Sequence, residues 1–249
     1  MGLFDKLFGG GNSSTPAPAP QPKVNLSKEE SIRKVNLAKE EVHKVCLTKS
    51  PLSGLISRVG LVLDYSGSMS ELYRNGTVQA VIEKILPLAM EFDDNGTMEV
   101  WIFENGFHRL PDINLNNFYG YVQREIIGKY KMGGTNYAPV MQDVFRKYVQ
   151  EEPAKISDYI VFITDGDNYD HAQTDKVIKE VSKYPIFWQF VGVGNASFNY
   201  LRKLDEMQGR YIDNANFFAV STPSAIQYSD LLNEYPGWLA DPKVKAMLK

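Results

Sequence analysis

With 249 residues, 43% apolar and 23% charged, the chain has room for one large domain plus a tail and enough apolar content for a true core, which excludes wholesale disorder and collagen-like or mucin-like architectures. Its net charge of −3 is divided unevenly: residues 1–50 hold eight Lys/Arg against five Asp/Glu, or +3, and the remainder holds 19 against 25, or −6, so the larger part disfavours nucleic acid and suits a cation. The one cysteine, Cys46, cannot form an internal disulfide, and no run approaches the roughly 18 apolar residues of a membrane span or the pattern of a signal peptide, so a soluble, cytoplasmic protein is expected.

Residues 1–8, MGLFDKLF, set Leu3, Phe4, Leu7 and Phe8 on one helical face, and a Gly-rich and Pro/Ala-rich spacer follows to residue 22. Eight residues are too few for an isolated helix in water. Either this face orders by docking on a partner or as a peripheral contact with the inner membrane, or it is a frayed terminus. Lys6 stands where a myristoylation pattern wants Ser or Thr, so lipidation is not expected.

Residues 23–50 contain a short repeat: Lys23-Val24-Asn25-Leu26-Ser27-Lys28 returns from Lys34 to Lys39 and again from Lys44 to Lys49. On a helix, Val24, Val35 and Val42 share a face while Leu26 and Leu37 point nearly opposite. The V-x-L alternation therefore predicts short strands with both apolar residues on one side, with a solvated charged linker as the alternative.

Residues 51–249 predict one α/β domain ending in a helical tail. Near-continuous apolar runs at 58–65, 97–103, 158–164 and 186–193 read as buried strands. Helical patterns cover 78–91, which Pro87 should kink or interrupt, and then 115–127, 138–149, 174–182, 199–207 and 224–233. Asn105-Gly106 predicts a hairpin into 107–110, 217–220 a last strand, and Asp241-Pro242 a capped final helix. The expected fold is a three-layer, doubly wound α/β domain, Rossmann-like, with a mostly parallel sheet and one antiparallel edge strand, preceded by a flexible N-terminal extension.

Ligands of such sheets sit beyond the carboxyl ends of the strands, at the topological switch point. Two strands here run into Asp64-Tyr65-Ser66-Gly67-Ser68 and Thr164-Asp165-Gly166-Asp167, and between them lies the turn Gly133-Gly134-Thr135-Asn136. If the two strands are neighbours, Asp64, Ser66, Ser68, Thr135 and Asp165 converge from three loops. All five offer oxygen, which selects a hard cation such as Mg²⁺, with Mn²⁺ or Ca²⁺ as substitutes. Taken singly, each has a bland reading as a helix cap or turn residue; five together at a switch point do not.

These segments, in this order and spacing over about residues 56–235, resemble the metal-ion-dependent adhesion site of von Willebrand factor A (vWA) domains. The V-x-L-x-K repeats and the ending Leu231-Leu232-Asn233-Glu234-Tyr235-Pro236-Gly237-Trp238 are similar to proteins of the bacterial tellurium and toxic-cation resistance systems. The resemblance implies a non-enzymatic module in which Ser66, Ser68 and Thr135 are hydroxyl ligands and Asp64 and Asp165 act directly or through water. It also implies one coordination position open to an Asp or Glu of a protein partner. Two carboxylates offset a divalent cation, so an incoming carboxylate meets no surplus of ligand charge.

The alternative is a Mg²⁺-dependent phosphatase-like hydrolase with Asp64 as nucleophile. That chemistry needs a second acid two residues on, where this chain has Ser66, a poor proton donor and acceptor near neutral pH. A calcium loop starting at Asp165 fails because Asp170 stands where Gly is wanted and Lys176 where the last ligand should be. Asp167 and Asp170 read as solvated or supporting carboxylates. His43, His108 and His171 share no metal spacing, and His171 reads as a surface histidine. Trp101 and Trp188 read as core.

Overall fold

Strand β1 (Ser57–Asp64) is apolar on both sides, and the computed structural model, which describes residues 27–249, shows why. It lies at the centre of a six-stranded sheet of order β3-β2-β1-β4-β5-β6. The other strands are β2 (Met98–Phe103), β3 (Phe107–Ile113), β4 (Ser157–Thr164), β5 (Ile186–Val193) and β6 (Ala215–Val220). All neighbours pair in parallel except β2 and β3, which form the antiparallel edge hairpin. The chain builds β1, β2 and β3 outward on one side, then returns to place β4 on the other side of β1. The switch point therefore falls between Asp64 and Thr164.

Alternate residues of the buried strands feed two cores. Leu61, Leu63, Tyr159, Val161 and Ile163 face α1 (Lys28–Thr48), α2 (Ser70–Arg74), α3 (Thr77–Phe92) and the C-terminal helices, and Val62, Ile160, Phe162, Trp188 and Phe190 face the opposite layer. That opposite layer holds α4 (Ala138–Phe145), α5 (His171–Val181) and α6 (Asn199–Asp205). The C-terminal helices are α7 (Tyr228–Leu231), α8 (Tyr235–Ala240) and α9 (Pro242–Met247), the last capped by Asp241 as expected. Pro87 lies buried inside a continuous α3 instead of interrupting it. Trp101 and Trp188 are core residues. No helix among the described residues is long and apolar enough to cross a membrane.

The strand reading of the repeat region is corrected. Residues 28–48 form one helix, opened by a capping box in which the Ser27 hydroxyl accepts from Glu30 N at 3.2 Å and the Glu30 carboxylate accepts from Ser27 N at 2.8 Å. Ser31, Val35, Val42 and Cys46 recur at helical spacing and are buried, while Leu37 and Leu47 are 57% and 60% exposed. Val35 and Leu37 of the second repeat thus point apart, as a helix requires and a one-sided strand does not. The helix is tied to the domain, with His43 Nδ1 2.7 Å from Glu91 Oε1 and Lys49 Nζ donating to Ser229 O and Leu232 O at 3.0 Å each. The readings of residues 1–22 and of the first half of the first repeat lie outside the described residues.

Two helical readings shrink. Over 115–127 only a wide turn at Val122–Ile126 forms, because Asn117 Oδ1 accepts from Asn114 N (2.8 Å) and Asn117 Nδ2 donates to Asp112 O (2.9 Å), diverting the backbone into a loop. Over 224–233 the chain makes a short turn at Pro223–Ala225 and then α7.

Candidate metal site

Strand β1 ends on Asp64, which is fully buried. Its Oδ1 accepts from Ser66 N at 2.7 Å, which curls the loop back on itself, and its Oδ2 accepts from the Thr164 hydroxyl at 2.6 Å. Ser66 Oγ lies 3.1 Å from Ser68 Oγ, and the Ser68 hydroxyl donates to Asp165 Oδ1 at 2.9 Å. Ser66 is buried, Ser68 exposed and Asp165 intermediate. Residues from the ends of β1 and β4 therefore form one hydrogen-bonded group across the switch point.

The third loop, which carries Thr135, adjoins this group through Gly133. Ser66 bridges Gly133 as an isolated parallel pair, with Gly67 N donating to Gly133 O at 3.0 Å. The glycine pair lets two hairpin side chains approach closely. A Cβ on Gly133 would lie 2.7 Å from Glu104 Oε2, and one on Gly134 would lie 2.5 Å from Asn105 Oδ1, both on the β2–β3 hairpin. Thr135 is buried, and its carbonyl accepts from Tyr169 N at 2.9 Å.

Sequence reasoning missed the residues that hold the loops together. The Asp170 carboxylate accepts from Tyr137 N (2.9 Å) and Ala138 N (2.8 Å), capping α4 from the loop that carries Asp165. Asn168 Nδ2 donates to the same carboxylate at 2.6 Å. Tyr137, buried two residues after Thr135, donates from its hydroxyl to Gly166 O at 2.8 Å and lies 3.2 Å from Thr164 Oγ1. Only the spacing of Asp170 from Asp165 hinted at such a role. His171 turns away to Asp167 (2.7 Å) and stacks on Tyr200, with centroids 3.8 Å apart.

Asp64 differs from the other buried carboxylates in its partners and not in being raised, since burial carries Asp158 up to about 7 despite Arg58. Three carboxylates among the described residues are buried: Asp64, Asp143 and Asp158. Asp158 has Arg58 Nε at 2.6 Å, and Asp143 has Arg109 Nε at 2.6 Å and also Arg146. Asp64 has only neutral donors, and burial pushes its carboxyl up to about 6 against the hydrogen bonds from Ser66 and Thr164. Burial also raises Asp165, partly offset by the Ser68 hydrogen bond. Among the described residues no three His, Cys, Asp or Glu side chains gather as a metal-binding group. The donors here are two carboxylates and three hydroxyls, oxygen throughout, around a buried anion without a base. That set fits a hard divalent cation.

Comparison with known proteins follows the same outline. A family model described as "vWA-TerF-like: vWA found in TerF C terminus" matches residues 56–248. The uncharacterized protein YcbR of Bacillus subtilis (strain 168) is 45% identical over 222 residues, covering 86% of this chain and 90% of its own. Among solved structures, proximal thread matrix protein 1 from the mussel byssus is similar at TM-score 0.52 and 15% identity, over 78% of this chain and 46% of its own. A von Willebrand factor type A structure from Catenulispora acidiphila is similar at TM-score 0.50 and 14% identity, over 78% and 43%. The chain spans less than half the length of these two, and at such identities they speak for the fold alone.

Proposed function

The chain belongs to the vWA-TerF-like family of von Willebrand factor A domains, and from that premise we propose that it is a non-enzymatic module that binds a protein partner through a divalent cation. The observation that carries the reading is Asp64, a buried carboxylate surrounded by oxygen donors and left without a basic partner while Asp143 and Asp158 each have one. Ser66, Ser68 and Thr135 would hold the ion with Asp64 and Asp165; Mg²⁺ is the expected occupant and Mn²⁺ or Ca²⁺ its substitutes. When bound, the cation supplies the counter-charge that Asp64 lacks and a Lewis-acidic position for one outside oxygen ligand.

A partner Asp or Glu is the ligand proposed for that position. The two site carboxylates balance the cation, and the hydroxyls add no further negative charge. A partner seated there would bury the contact between itself and the surrounding loops, where an ionic contact counts for more than at an open surface. Ser66, two residues after Asp64, accounts for a binding rather than a hydrolytic role, since it cannot serve as the acid a phosphatase needs. The resemblance to the tellurium and toxic-cation resistance subfamily supports service in such a bacterial stress response, in the cytoplasm or peripherally at the inner membrane.

Affinity capture with the full chain, in Mg²⁺ and in excess chelator, tests this reading. Partners should be released by chelator and fail to bind Asp64→Ala, and Thr135→Ala should weaken them. A partner that stays bound in chelator after its acidic residues are changed to amides would show that this site is not the interface.

A further inference from the structure

The hydrogen bonds beneath the site assign a task to two residues that cannot be ligands for reasons of placement. Thr164 is the last residue of β4 and is fully buried. Its hydroxyl donates to Asp64 Oδ2 at 2.6 Å, a bond that joins positions 100 residues apart. The same oxygen receives Gly166 N at 3.3 Å and has the Tyr137 hydroxyl 3.2 Å away. Gly166 N supplies Thr164 Oγ1 with a donor, the Tyr137 proton goes to Gly166 O, and the Asp64 carboxylate can only accept, which directs the Thr164 proton to Asp64. The Tyr137 ring is fixed by Phe103 and Phe162, with centroids 5.6 Å and 4.9 Å away, and its hydroxyl also donates to Gly166 O, beside Asp165.

We propose that Thr164 is a positioning residue that fixes the Asp64 carboxylate for the cation, and that Tyr137, by donating to Gly166 O, holds the turn whose N–H serves Thr164; this rests on the metal-site reading above. A carboxylate held at both oxygens, by Ser66 N on Oδ1 and Thr164 on Oδ2, cannot rotate away, so its remaining lone pairs keep one direction. Outer-shell partners of this kind tune metal affinity by orienting the group that meets the ion. Tyr137 adds coordination between loops: it follows Thr135 by two residues, its backbone N–H is capped by Asp170, and its hydroxyl touches the turn that carries Asp165. Tyr137 therefore ties together two of the three segments that bear the site.

Calorimetric titration of the full chain with Mg²⁺, and with Mn²⁺ followed by electron paramagnetic resonance, tests the assignment without a partner. Thr164→Val, which keeps the shape and removes the hydroxyl, should weaken both ions about 10–100-fold. Thr164→Ser should restore most of the affinity, which a purely structural role for the methyl group would not allow. Tyr137→Phe should cost less, about threefold to tenfold, because Gly166 N still serves Thr164. Circular dichroism confirms that each variant is folded. Wild-type affinity in Thr164→Val, or equal weakness in Thr164→Ser and Thr164→Val, overturns the proposal. Full metal affinity in Asp64→Ala, or no binding by the wild-type chain, overturns the site reading itself and the proposal with it.

Discussion

Asp143 in α4 and Asp64 at the end of β1 are buried to the same degree and answer that burial in opposite ways. At Asp143, burial pushes the carboxyl up, but hydrogen bonds from Arg109 and Trp101 and the charges of Arg109 and Arg146 outweigh it and hold the group below its ordinary value. At Asp64 the donors are a backbone N–H and a threonine hydroxyl, and burial wins, carrying the group up to about 6. The first region carries its own counter-charge and is finished by folding. The second keeps an anion in a dry place with its counter-charge missing, which destabilises the fold unless something cationic arrives. A protein spends stability in this way where it binds something.

The contrast is broken most forcefully by neutralising each acid in turn. Asp143→Asn removes the buried partner of Arg109 and Arg146, and should destabilise the metal-free chain in urea by about 2 kcal/mol, less than the ~3–5 kcal/mol of a sealed pair because both arginines keep Glu151 and can reach water. Asp64→Asn should do the reverse at pH 7 and stabilise the metal-free chain, on the order of 2 kcal/mol, by removing a buried charge. A loss of stability in Asp64→Asn would mean that some partner already compensates the carboxylate.

Acidity sharpens the same comparison. Because the folded-state value of Asp64 lies above its ordinary 3.8, the folded chain binds more protons between about 4 and about 6. The contribution of Asp64 is therefore present at low pH and lost as pH rises through that window. Asp143, held low, contributes stability above its ordinary range that is lost on acidification. Denaturant midpoints of the metal-free chain across pH should show that Asp64→Asn lessens the decline between pH 4 and 6, leaving the share of Asp158 and Asp205, which burial raises to about 7, while Asp143→Asn does not lessen it. Since proton and cation compete for Asp64, Mg²⁺ affinity should also fall below about pH 6, approaching tenfold per unit.

The smallest expected effect lies at the glycine turn. Gly133→Ala places a Cβ 2.7 Å from Glu104 Oε2 and 3.2 Å from Glu104 Cβ. The Glu104 side chain must move, at about 1 kcal/mol of stability and a few-fold loss of metal affinity through displacement of Thr135. Melting and calorimetry on the one variant check both numbers.

Most of the sheet was legible because its strands are apolar on both faces: residues 158–164 and 186–193 correspond to β4 and β5 within one residue. Asp64, Ser66, Ser68 and Asp165, four of the five expected donors, form one hydrogen-bonded group, and their grouping was legible because they sit at strand ends or in the loops that follow them. Helix α1 was not, since only Val35, Val42 and Cys46 of its apolar residues are buried and the repeated V-x-L spacing imitates a strand. The loop at 114–121 was missed because its asparagines fold onto their own backbone, a choice that hydrophobic periodicity does not record. Thr164 and Tyr137 act through bonds to distant loops, so nothing in their local sequence announces them, whereas Asp170 read as a solvated or supporting carboxylate and supports α4.

The central claim, that Asp64 awaits a cation, is tested most directly by the melting temperature of the full chain at pH 7.5 with and without Mg²⁺, for the wild type and for Asp64→Asn. At 100 times the dissociation constant, binding contributes about 2.7 kcal/mol, which for a domain of this size raises the midpoint by roughly 5–10 °C. The account predicts that rise in the wild type, no rise in Asp64→Asn, and a metal-free Asp64→Asn that melts above the metal-free wild type. Equal shifts in both proteins, or none in the wild type, would contradict it.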